Sequence, residues 1–387
     1  MTNLLGAYGA WAAALAPEPA RLSFRRPEWR DLGAWRSAAL DRLAAALLVP
    51  DAGPTPPARV ERRILGDGLE IEFLSWQLPW GPPTEALLLK PVGARGPLPG
   101  VLALHDHAGD KAFGARKIVR LGDELHPHLA RHQERSYGGV AWANELARRG
   151  YVVLVHDVFP FGSRRIRPSE LPPGLYPDAA SDELRSEEEI LGYNRIAALH
   201  EQVVAKSLFC AGTTLAGTVA AEDRRALDQL CARPEVDARR VGCCGLSGGG
   251  LRAVHLAALD ERIACACCVG MMTTWRDFLL NTAHKHTWMV YAPGLPQDLD
   301  YPEILAIAAP RPTLVLSNRD DALFTLHEME RAHGMLADIY AKAGAAERHR
   351  GRFHAGPHKF DLAMQAEAFA WLDRWLGGGP SGKVPAD

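Results

Sequence analysis

The 387-residue sequence predicts an α/β fold with a mostly parallel central sheet and helices on both faces. Three observations predict it. Short, wholly apolar segments of strand length recur between helix-length segments, and strands without polar alternation are strands buried on both faces. Hydrophobic residues make up 47% and charged residues 23%, the values of a globular chain with a large core and not of a disordered or fibrous one. A glycine-flanked serine stands where one of those strands passes into a helix.

The elements follow in order. Trp35 to Leu48 repeats apolar residues at helical spacing, and the run from Pro50 to Pro57 breaks it. Residues 1–57 therefore read as a helical N-terminal extension, and 58–377 as the main domain. Val60–Leu65, Leu69–Leu74 and Glu85–Leu89 read as antiparallel strands. Then come apolar strands at Val101–Leu104, Tyr151–Val155, Arg240–Cys244, Ile263–Val269 and Thr313–Leu316. Helices are expected over 139–149, 219–231 and 251–259, and an amphipathic one over 360–376 follows a strand at about 347–353. The stretch from Phe159 to Thr218, with Pro168, Pro172, Pro173 and Pro177 and the acidic run Glu187–Glu189, interrupts the rhythm. It is expected to be a cap-like insertion over the site, because it follows a strand end at the edge where open α/β sheets bind ligands. Residues 378–387 are expected to form a flexible tail.

Charge excludes some partners. Lys plus Arg number 44 and Asp plus Glu 46, so the basic excess of a general nucleic-acid binder is missing. No apolar run reaches the ~18 residues that a membrane span needs. The N-terminus lacks the basic residues of an export signal. The seven cysteines, several adjacent within apolar runs, read as reduced buried thiols. The expectation is a cytoplasmic protein without nucleic-acid or membrane partners, with self-association left open.

Gly245-Leu246-Ser247-Gly248-Gly249 is a G-x-S-x-G pattern in the strand–turn–helix setting it requires. The turn lifts the Ser247 hydroxyl clear of the sheet, and a side chain at the flanking glycines would meet neighbouring backbone. At the helix N-terminus the Gly248 N–H has no intrahelical partner and can donate to an oxyanion. A serine hydroxyl needs a base held by an acid, in the chain order Ser, acid, His. The acid belongs after the Thr313–Leu316 strand, where Asp321 is the choice and Asp320 the rival. The base is His358, in a Gly-Pro loop before the last helix, with His354 as a supporting partner. His327 and His333 fall at helical spacing and are assigned to the surface. The second oxyanion donor is the His107 N–H, in the loop after the first parallel strand, which His105 would brace.

His105, Asp106, His107, His126, His128 and His132 also raise a metal site. Neighbouring residues at a strand end point in opposite directions, and His126-Pro-His128 lacks helical i, i+4 spacing. Neither a metal nor a cofactor is therefore expected.

With these residues placed, the chain resembles the α/β-hydrolases, in particular bacterial serine esterases of the acetyl xylan esterase and dienelactone-hydrolase-like branch. The resemblance rests on LHDHAGD (104–110), YGGVAWANELARRGYVVLVHDVFPFGSRR (137–165), GLSGGG (245–250), IAAPRPTLVLSNRDDALF (307–324) and GPHKF (356–360), and covers about residues 60–376. It implies an ester hydrolase with Ser247, Asp321 and His358 as triad, acting on a small-molecule acyl or acetyl ester. Dienelactone hydrolases proper carry a cysteine nucleophile, so lactone specificity does not transfer. The familiar glycine before the acid is Asn318 here, a residue that tolerates positive φ. Other readings are a peptidase or another acyl hydrolase on this fold, or a binding protein on a hydrolase scaffold.

Overall fold

A computed structural model describes residues 3–122, 124–176 and 182–377. The expected tail at 378–387 lies outside these residues. Nine strands form one sheet among the described residues. They are β1 (Arg59–Gly66), β2 (Leu69–Trp76), β3 (Thr84–Pro91), β4 (Leu98–Leu104), β5 (Val152–His156), β6 (Val236–Leu246), β7 (Ile263–Val269), β8 (Thr313–Asn318) and β9 (His349–His354). Their order is β1-β2-β3-β5-β4-β6-β7-β8-β9. The pairs β1–β2, β2–β3 and β3–β5 are antiparallel, and every pair from β5–β4 to β8–β9 is parallel.

Two apolar layers sandwich the parallel strands. Leu102, Leu104, Leu154, Cys243, Cys268 and Val315 face one core, while Val101, Ala103, Val153, Cys244, Cys267 and Leu316 face the other. The period of two along a strand sends adjacent Cys243 and Cys244 to opposite faces. All seven cysteines are unpaired, and five of them are buried.

The helices are α1 (Gly9–Ala14), α2 (Leu32–Leu47), α3 (Pro127–Tyr137), α4 (Trp142–Arg148), α5 (Glu187–Cys210), α6 (Leu215–Cys231), α7 (Gly248–Leu259), α8 (Trp275–Asp277), α9 (Leu295–Asp298), α10 (Tyr301–Ala306), α11 (Leu326–Lys342) and α12 (Leu362–Leu376). Helices α6, α7, α10 and α11 bury their apolar residues on one face of the sheet, and α4 and α12 on the other. The N-terminal α2 joins the first of these cores through Trp35, Ala39, Leu43 and Leu47, all fully buried. Within the stretch expected as a cap, α5 runs for 24 residues. Ser186 and Glu189 close a capping box at its start, and Glu187–Glu189 fill the first turn, where acidic charge meets the positive end of the helix dipole. No single described helix is long and apolar enough to cross a membrane.

Candidate active site

Strand β6 ends at Leu246, and helix α7 starts at Gly248. Ser247 alone makes the turn, with φ 57° and ψ −117°. A non-glycine residue adopts such a backbone only when its surroundings enforce it. The enforcement is visible. The Ser247 N–H donates to Val269 O at 2.8 Å, and its carbonyl accepts the Leu251 N–H at 2.9 Å. A Cβ on Gly245 would stand 2.5 Å from Leu104 O, and one on Gly249 would overlap the same carbonyl. The two glycines therefore let α7 and β4 close around the serine, as the pattern requires.

After β8, Asp321 is buried and accepts from both His358 Nδ1, at 2.6 Å, and the Leu323 N–H, at 2.9 Å. His358 lies over the β6–α7 turn. A Cβ on Gly270 would stand 2.9 Å from His358 Cε1 and 3.0 Å from Leu246 Cδ1. His358 Nε2, the nitrogen free of Asp321, is buried without a hydrogen-bond partner. No hydrogen bond joins it to the Ser247 hydroxyl among the described residues. Asp320 points elsewhere. It is exposed, and its Oδ2 accepts the Gly356 N–H at 2.8 Å, bracing the histidine loop from outside.

The loop after β4 carries His107. Ala108 (φ 49°) and Gly109 (φ 69°) form its tip, closed by Asp110 N–H to His107 O at 2.9 Å. Two positive φ values in succession make this a type I′ turn, strained at Ala108. Lys117 is fully buried, and its ammonium donates to Asp106 O at 2.8 Å and His107 O at 3.0 Å. With its carbonyl so held, His107 presents its N–H toward α7. A Cβ on Gly248 would be 2.9 Å from the His107 nitrogen.

Three of the histidines raised as metal ligands are held by nearby aspartates through different atoms. His132 Nε2 meets Asp106 Oδ1 at 3.0 Å, His128 Nε2 meets Asp110 Oδ2 at 3.1 Å, and His105 Nδ1 meets Asp106 O at 3.0 Å. Burial works against ionisation of Asp106, but His132, Lys117 and Tyr137 overcome it and hold its carboxyl well below the usual range. No group of three or more ligands that could hold a metal occurs among the described residues.

Four expectations need correction. His333 is not a surface residue; it is buried and shares a 2.9 Å hydrogen bond with Ser317 Oγ, because α11 packs on β8. His354 does not support the site; its Nε2 turns to Glu367 at 3.1 Å. Asn318 has no positive φ; it ends β8, and its Oδ1 accepts the Lys359 N–H at 3.2 Å, tying the strand to the histidine loop. Helix 219–231 begins four residues earlier, at Leu215, capped by Thr214.

Sequence reasoning also missed functional neighbours. Residues 271–300 cover the acid loop: Lys285 Nζ donates to Ala322 O at 2.6 Å, and His286 Nε2 lies 3.1 Å from Leu323 O. Burial pushes His286 down to about 4, so the neutral ring donates there. Beneath the His107 loop, Arg252 grips Asp223 through Nε at 3.1 Å and Nη2 at 2.7 Å, and its Nη1 reaches His105 O at 3.3 Å. Both side chains are nearly inaccessible. Arg252→Met leaves Asp223 buried with no partner but His156, whose Nε2 lies 3.0 Å from Oδ1, and the expected stability loss is about 2–4 kcal/mol. Urea unfolding measures it, and a wild-type midpoint would refute this role.

No protein-family model matches the chain. YtaP of Bacillus subtilis (strain 168), named as a candidate hydrolase, is 28% identical over 294 residues, covering 75% of this chain and 83% of that one. Among solved structures, a candidate acetyl xylan esterase from Bacteroides fragilis superposes with a TM-score of 0.65 at 17% identity, covering 91% of this chain and 83% of the other. A glucuronoyl esterase from Solibacter usitatus superposes at 0.62 and 18% identity, covering 92% and 97%. The chain has the α/β-hydrolase fold. In this fold the serine turn, the acid loop and the histidine loop all sit at the C-terminal ends of parallel strands, where open α/β sheets place their ligands.

Proposed function

We propose that this α/β-hydrolase is a serine esterase that cleaves small acyl esters through an acyl-enzyme. The observation that carries the reading is the strained Ser247 turn facing a histidine already oriented by a buried aspartate. Ser247 Oγ attacks the ester carbonyl while His358 Nε2 takes its proton. Asp321, on Nδ1, fixes the tautomer and stabilises the imidazolium. The Gly248 and His107 N–H groups receive the oxyanion; neither donates to another group among the described residues. His358 then protonates the leaving alcohol, and water, activated by the same ring, releases the acid.

A short acyl group suits the surroundings, since buried Phe161 packs 5.2 Å from the His107 ring and buried Met271 lies against Gly250 at the start of α7. The names of the similar structures, for acetyl xylan and glucuronoyl esters, support a carbohydrate ester as substrate. Unpaired cysteines support a reducing, cytoplasmic setting. Hydrolysis of p-nitrophenyl esters by the purified chain should be fastest for acetyl and fall as the acyl chain lengthens. A folded protein that turns over none of the series contradicts the proposal.

The 159–218 insertion acts as a selectivity cap in this reading. A cavity between it and the His107 loop is lined by Ile166, Leu171, Tyr193, Ile196 and Lys111. Filling it with the modestly larger side chain of Ile196→Phe should reorder the preference among acetate esters of different alcohols while leaving the melting temperature within a few degrees. An unchanged order would leave the insertion without a role in selectivity.

A further inference from the structure

Helix α5 does more than cover the site. Its inward face presents Asn194, the Ala197 carbonyl and Glu201, spaced three and four residues apart and so aligned along one side of the helix. All three engage the His107 loop. Asn194 Oδ1 accepts the Lys111 and Ala112 N–H groups at 2.9 and 3.1 Å, and its Nδ2 donates to Asp110 Oδ1 at 2.8 Å. The Ala197 carbonyl accepts Lys111 Nζ at 3.0 Å. Glu201 is the convergence point. Its Oε2 meets Lys111 Nζ at 2.5 Å and His107 Nε2 at 3.3 Å, and its Oε1 accepts Thr287 Oγ1 at 2.7 Å and the Trp288 N–H at 2.8 Å.

The His107 tautomer follows from these contacts. The Gly109 N–H donates to Nδ1 at 3.0 Å, so Nδ1 is an acceptor and the ring hydrogen sits on Nε2, aimed at Glu201. Burial lowers the proton affinity of His107 and keeps the ring neutral, against the pull of Glu201. Glu201 is itself buried; the hydrogen bond from His107 and the hydrogen bond and charge of the Lys111 ammonium overcome that burial and hold it ionised, well below the usual range. The ring is thus fixed at both nitrogens, and its backbone N–H with it.

We propose that Glu201 is a positioning residue for the oxyanion hole: one buried carboxylate locks the His107 loop to α5 and to the 285–288 segment, and so holds the His107 N–H on the line along which oxyanion charge develops. The inference rests on the serine-esterase reading above and deepens it. It makes the insertion a part of catalysis as well as a cover. Because Glu201 acts through His107, its loss falls on the transition state and spares ground-state binding.

The test is Glu201→Gln, assayed with p-nitrophenyl acetate and with phenylboronic acid, whose tetrahedral serine adduct places an anionic oxygen in the hole. The expected result is kcat lower by about 10²-fold, KM within about threefold, and boronate affinity weakened in parallel with kcat/KM. A merely structural role would lower stability without this parallel. Should Glu201→Gln fail to fold because Lys111 is left buried and unpaired, Glu201→Gln with Lys111→Met removes both charges, and the same deficit is expected. A folded variant with wild-type kcat, or with lowered kcat and unchanged boronate affinity, overturns the proposal. A wild-type chain with no ester turnover fails the serine-esterase reading instead, which keeps the two outcomes distinguishable.

Discussion

Ser247→Ala is expected to lower ester turnover by about 10⁴-fold or more while leaving the fold intact. The effect is large because the nucleophile has no substitute: the nearby cysteines are buried within the strands, and Cys244 and Cys243 are pushed up by burial, far from thiolate. The fold survives because the strained turn is held by backbone, through Ser247 N–H to Val269 O and the glycines against Leu104 O, and not by the hydroxyl. Alanine tolerates the same turn no worse than serine. Steady-state kinetics with p-nitrophenyl acetate, beside thermal unfolding of the same preparation, checks it. Substantial turnover in a pure, folded variant would remove Ser247 from the mechanism.

Asp321→Asn is expected to cost roughly 10³ to 10⁴ in turnover. An amide keeps the shape, but it can turn its NH₂ toward His358 Nδ1 and favour the tautomer whose free nitrogen faces away from Ser247. It also withdraws the charge that stabilises the imidazolium, in a position where the carboxylate is almost inaccessible to water. Asp320→Asn is expected to cost about tenfold or less, because the exposed carboxylate braces the Gly356 N–H and an amide oxygen can still accept that bond. Measuring both substitutions side by side decides between them. Near-normal activity in Asp321→Asn beside an inactive Asp320→Asn would place the acid one residue earlier.

What could be read without coordinates divides by physical origin. The parallel strands were legible because burial on both faces leaves no polar alternation, as in Val152–His156 and Ile263–Val269. The Ser247 turn was legible because a steric demand falls on individual residues: Gly245 and Gly249 have no room for a side chain. Asp321 followed from its place after β8. Glu201 was not legible, because a lone acid within a long helix resembles any solvated residue until Lys111 and His107, some 90 positions earlier, are brought against it. Lys117 and the Arg252–Asp223 pair share that character; their burial is created by tertiary packing alone. Residues 271–300 escaped because their helices are three to five residues long, too short for periodicity to register. Asn318 was assigned a backbone role that belongs to its side chain, since only the folded histidine loop brings Lys359 within reach.

The central claim is that Ser247 becomes covalently acylated, and active-site labelling tests it most directly. The wild-type chain, treated with a fluorophosphonate and digested, should carry one phosphonyl group on the peptide containing Ser247, with esterase activity lost in step with labelling. A folded, untreated-active protein that takes up no label, or that carries the label on another residue while Ser247 stays unmodified, would contradict it.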